Sequence, residues 1–114
     1  MITITINQIN LLREADIRLF SKRVCNHIFH NFAFYIEGRD VNNIVSGSIN
    51  RAMSYNINAE NDIIRYVEFD VMIGAPFEKG PGCQDIEQIL RNNELSGGKK
   101  IYMISQYLLF SDKG

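Results

Sequence analysis

The chain offers little from which to build a chemistry. Two cysteines, Cys25 and Cys83, among 114 residues do not make a disulfide framework, and they read as reduced thiols of a cytosolic protein. No run of Lys or Arg exceeds two (Lys22-Arg23, Lys99-Lys100), and the formal net charge is −1. Nucleic-acid binding ordinarily needs a basic stripe, and attraction to an anionic membrane surface needs a basic cluster, so neither partner is expected. The opening Met1-Ile-Thr-Ile-Thr-Ile-Asn7 has no basic region and no continuous apolar stretch, which argues against a signal peptide. No apolar run approaches the roughly 20 residues that span a bilayer.

The composition is that of an ordinary globular protein, 46% apolar and 22% charged. A chain of this length can bury a core without disulfide or metal staples. One domain is expected over residues 1–110, with a frayed tail over 111–114.

Its organising stretch runs from Asn58 to Phe77. Asn58 reads as a cap, Glu60 and Asp62 favour the positive end of a helix, and Gly74 and Pro76 stop it. Ile63, Tyr66, Val67, Met72 and Ile73 form an apolar surface that Ile64, Phe69 and Val71 widen. A helix apolar on most sides is buried by several neighbours. The segment is also β-branched, so a strand is the competing reading; length and cap favour the helix.

The remaining elements follow similar signals. Residues 2–6 alternate Ile and Thr and read as an extended lead-in, and Thr5 with Gln8 fits a capping box that starts a helix near Ile6. From Ile9 to Phe34 there is no proline or glycine, and an apolar stripe runs through Leu12, Ile17, Phe20, Val24 and Ile28. A break around Arg13–Asp16, with Asp16 as a cap, is preferred to one long helix. Gly38 ends this element, and Asp40 caps a helix from Val41 to about Tyr55. Small residues Gly47 and Ser48 would let a neighbour approach there. Glu78 to Cys83 reads as a loop. Asp85 to about Asn93 reads as a short helix, and Ser96 caps a last helix from Lys99 to Phe110. The expected fold is therefore all-α, five or six short helices packed around the helix at 59–73.

Several groupings invite a chemical reading, and each has a plainer one. Cys25, His27 and His30 lie close in sequence, but a zinc site wants four ligands; a packed cysteine and two partly exposed histidines are preferred, and no metal or cofactor is expected. Cys83 follows Gly-Pro-Gly at a helix start, where a thiolate is stabilised, yet no orienting residue can be assigned. Glu68 and Asp70 are two residues apart on different helix faces, so they are not a paired-carboxylate site; at least one is expected to be solvated or paired to Arg65 or to an arginine of another helix. Phe29, Phe32, Phe34 and Tyr35 cluster where a helix ends. Core packing is the first reading, and a protein-binding surface the alternative. No catalytic residue is assigned. The binding surface is placed on the loop after the central helix, at Phe77, Glu78, Lys79 and Pro81.

The segment from Asp62 to Glu78 resembles small uncharacterised bacterial proteins encoded beside type VI secretion spike and effector genes. In that pattern Tyr66, Val67, Glu68, Gly74, Phe77 and Glu78 fill the aromatic, aliphatic, acidic, glycine and Phe-acid positions. Asp70 and Ala75 depart from it, since an apolar residue and a proline are more usual there. The resemblance implies an accessory role, as chaperone, adaptor or co-effector whose partner is a secreted effector or spike protein. An immunity protein that neutralises a toxin, and a small toxin enzyme using Cys83 or Glu68, are the alternatives.

Overall fold

A computed structural model describes residues 14–80 and 82–113, with side chains between 17 and 108. The expected lead-in at 2–6, the Thr5 capping box and the helix start near Ile6 lie outside the described residues. The chain is helical throughout, with no strand among the described residues. Its elements are α1 (Glu14–Asn31), α2 (Ala33–Ile36), α3 (Val41–Ser54), α4 (Glu60–Ile73), a 3-10 turn (Phe77–Lys79), α5 (Gln84–Arg91) and α6 (Gly97–Lys113). No helix is long and apolar enough to cross a membrane, among the described residues.

Local chemistry accounts for most of the boundaries. The Asp40 carboxylate accepts from the Asn43 N–H at 3.2 Å and caps α3. The Ser96 hydroxyl accepts from the Lys99 N–H at 3.1 Å, so α6 starts at Gly97, two residues before the expected position. With no glycine or proline between Gly98 and Gly114, α6 runs on to Lys113. Gly38 takes φ +75° in the turn before Asp40, a conformation that costs glycine little. The central helix departs from expectation at its start. Ala59 holds the cap position with no side-chain bond, and Asn58 instead donates to the Asn56 carbonyl at 3.3 Å. Glu14 to Asp16 are helical, so Asp16 is not a cap; Arg13, where the expected break begins, lies outside the described residues, and a break is described at Phe32, between α1 and α2.

α4 occupies the middle. It packs on α3, on α6, on α2 and on the 3-10 turn, while α1 lies on α3 and α5 on α6. Ile63, Tyr66, Val67, Phe69 and Val71 are buried, but Met72 and Ile73 are 41% and 47% exposed, so the apolar surface expected of this helix ends before its last residues. On α3 the inward stripe is Val41, Val45, Ile49 and Ala52, with Ser48 buried among them. No other helix crowds Gly47; a methyl there would meet only the Arg51 guanidinium, at 3.8 Å.

The close approach falls at Gly97 instead. A Cβ there would lie 2.9 Å from the Asn56 carbonyl oxygen and 3.0 Å from the Ile57 Cα, both backbone atoms. A Cβ on Gly98 would meet only the Asp62 carboxylate, at an ordinary 3.5 Å. Gly97→Ala is therefore expected to cost about 1–3 kcal/mol in urea unfolding, the usual penalty for overpacking. Gly98→Ala, in the same first turn, should cost nothing measurable. Equal effects of the two substitutions would contradict this docking of α6.

Candidate functional site

The turn after α4, where sequence places a binding surface, faces inward. Phe77 is wholly buried, with its ring centroid 5.0 Å from that of Tyr66 and 5.4 Å from that of Phe69, both tilted edge to face. Glu78 is 1% exposed. Its Oε1 accepts from the Tyr66 hydroxyl at 3.0 Å; its Oε2 accepts from the Tyr55 hydroxyl at 3.0 Å and from Arg51 Nε at 3.3 Å. Phe77 and Glu78 are thus corrected from surface to interior, because the half-buried Arg51 guanidinium and the two phenols need an acceptor and Glu78 supplies it. Lys79 stays outside and pairs with Glu87 at 2.7 Å. Pro81 lies outside the described residues.

The second acid of this cluster is Asp70, fully buried one turn beyond Tyr66 on α4. The Ser48 hydroxyl and the Arg51 guanidinium, both on α3, donate to its Oδ2. The Phe77 N–H donates to its Oδ1 at 3.0 Å. One arginine therefore joins two buried carboxylates, and through them joins α3, α4 and the turn. Burial pushes the Asp70 carboxyl up from the ordinary 3.8, against Ser48, the Phe77 amide and Arg51, which favour the ionised form. Burial, then the nearby Glu78 charge, pushes Tyr55 up to about 12. The same two causes push Tyr66 up, with Arg51 opposing. Both phenols keep their protons at neutral pH and act as donors. No buried side-chain polar atom among the described residues lacks a partner. The arrangement is a clamp on the turn, with each polar group engaged by its neighbours.

Glu68 and Asp70 are both paired, where the sequence led one to expect at least one of them to be solvated or paired. Asp70 meets an arginine of another helix, and Glu68 meets Arg65 at 3.4 Å and His27 Nε2 at 2.6 Å. The Asn31 side-chain nitrogen lies 3.2 Å from His27 Nδ1. With Asn31 donating there, Nε2 carries the proton given to Glu68. His30 Nδ1 turns instead to the Asn26 carbonyl at 2.8 Å, and the buried Cys25 thiol donates to Asn42 Oδ1 at 3.3 Å. Burial pushes the Cys25 thiol up. Cys25, His27 and His30 thus face three different partners. Cys83 is half-buried at the start of α5, its sulfur beside Gly80.

The aromatic cluster divides. Phe32 is half-buried, its ring 5.9 Å from His27 and 6.1 Å from Tyr35. Tyr35 is 43% exposed, and Phe34, its edge-on neighbour at 5.6 Å, is 86% exposed. Arg39 Nη1 donates to both the Tyr35 and the Val71 carbonyls, at 2.7 and 3.1 Å, which sets the end of α4 against α2. Met72 also lies one turn beyond Glu68, on the side of α4 that meets His27. Phe34 and Tyr35 on one side and Met72 and Ile73 on the other are exposed apolar side chains on the two segments that Arg39 joins, and they are taken together as one apolar face. Phe29 is exposed too, but two residues on from His27 it stands on the opposite flank of α1. Sequence pointed to the aromatics of this face as a possible interface; Met72 and Ile73 had been assigned to the core. Comparison of the chain with protein-family models, with curated proteins and with solved structures found no match.

Proposed function

We propose that the protein is a non-enzymatic protein-binding module, a chaperone, adaptor or co-effector for a type VI secretion effector or spike protein. The observation that carries the binding role is the face of Phe34, Tyr35, Met72 and Ile73. Large apolar side chains exposed together on a rigid support mark interaction sites more often than chance surface. The secretion partner rests on the resemblance of the Asp62–Glu78 segment. Glu68, which a small enzyme would use, is already bound to His27 and Arg65.

A tagged pull-down from the native bacterium, with bound proteins identified by mass spectrometry, tests both parts. The expected result is a stoichiometric secreted toxin or spike component. Phe34→Glu should abolish its capture while leaving the unfolding free energy within about 0.5 kcal/mol of wild type, as for other exposed positions. Capture that survives both Phe34→Glu and Ile73→Glu would remove the face from the account. A captured toxin whose killing is relieved by co-expression would make the role neutralisation rather than assistance.

A further inference from the structure

The rim of the apolar face carries both signs of charge. Glu37 is exposed beside it. Arg39 gives its Nη1 to two backbone carbonyls, and no ion pair to a carboxylate is present for it among the described residues. Arg65, 56% exposed, shares Glu68 with His27. A rim of one sign would repel its own copy, whereas this one can be turned against itself. The chain's net charge of −1 adds little long-range repulsion between copies.

The area points the same way. Large aromatics cover about 150–250 Å² each, so the exposed parts of Phe34, Tyr35, Met72 and Ile73 amount to roughly 400 Å². That is about half of what one side of a standard interface contributes. Two such faces set together remove roughly 800 Å² of apolar surface, and the Glu37, Arg39 and Arg65 rims carry the total past the roughly 1,000 Å² of a specific contact. We infer that in the free protein this face is covered by a second copy of the chain, in a two-fold dimer. In a two-fold contact the same patch faces itself, so Glu37 of each copy meets Arg39 or Arg65 of the other. The inference rests on the reading of this face as a protein-binding surface: the second copy holds it until another partner takes its place. An interface at the low end of the size range gives a dimer that comes apart on dilution.

Sedimentation velocity of the full chain, from about 1 to 300 μM, tests it. The weight-average mass should rise from that of one chain towards that of two across this range. Phe34→Glu and Ile73→Glu should each weaken the association roughly a hundredfold, as central contacts do. Leu19→Glu, an equally exposed apolar position in the first half of α1, should leave it unchanged. A one-chain mass at every concentration would overturn the dimer, as would a dimer that Phe34→Glu and Ile73→Glu leave intact. A one-chain protein that still captures a partner through Phe34 overturns the dimer alone. A dimer weakened by Phe34→Glu that captures nothing from the native cells keeps the dimer and overturns the accessory role.

Discussion

Replacing Arg51 with methionine is expected to remove about 3–5 kcal/mol of stability, the cost of stranding a buried charge. The guanidinium is the only cation bonded to Asp70 and Glu78 among the described residues, and both acids are essentially inaccessible to water. Methionine fills similar volume and meets neither. A small domain has about 5–15 kcal/mol in total, so roughly a fifth of it or more is at stake. The pH dependence gives the substitution a signature that a packing defect lacks. Arg51 holds the Asp70 carboxyl down, so without the cation its folded-state value rises further above the unfolded one. An acid raised in this way binds its proton more tightly in the folded state, so stability grows as pH falls towards the unfolded value. In the wild type Asp70 is already raised from 3.8, and its contribution runs in the same direction over the window above that value. The deficit of Arg51→Met should therefore shrink on acidification from neutral pH. Urea unfolding at a series of pH values measures it; a deficit that widens in acid would contradict the clamp.

Phe77→Ala should be nearly as damaging, at about 3–5 kcal/mol for an aromatic removed from a sealed core. The Phe77 ring is packed by Tyr66 and Phe69, and its own amide holds Asp70, so the turn loses its anchor while the amide stays. In thermal unfolding a loss of that size lowers the midpoint by roughly 10–25 °C for a domain of this length. Phe34→Ala should move it hardly at all, since that ring is mostly in solvent. The pair separates a core aromatic from a surface one, which sequence spacing alone did not do. Comparable midpoints for the two variants would place Phe77 back at the surface.

What could be read from the sequence was whatever is settled within one turn of helix. Asp40 and Ser96 are short polar side chains before apolar stripes, and both cap as expected. The all-helical class and the central place of α4 follow from periodicity and length. The misread positions depend on what lies across the fold. Glu78 sits in a glycine-rich polar stretch and looks solvated; only Arg51, Tyr55 and Tyr66, brought from two other helices, explain its burial. Asp70 did carry a signal. It shares a helix face with Tyr66 and Val67, so an acid there required a donor from a facing helix, and Ser48 and Arg51 are three residues apart on the next helix back. Met72 and Ile73 failed for the opposite reason. They continue the apolar pattern of the sequence but are left 41% and 47% exposed by the described helices.

Tyr55 holds two parts of the molecule at once. Its hydroxyl bonds Glu78, and its carbonyl, at the end of α3, accepts from the buried Lys100 ammonium at 2.6 Å. A helix at a chain end is usually the first to open in native-state hydrogen exchange. Here, opening α6 through Lys100 strips the last carbonyl of α3 of its donor and frees the residue that anchors the 77–79 turn. The amides around Lys100 and Ile101 are therefore expected to exchange together with those of the turn.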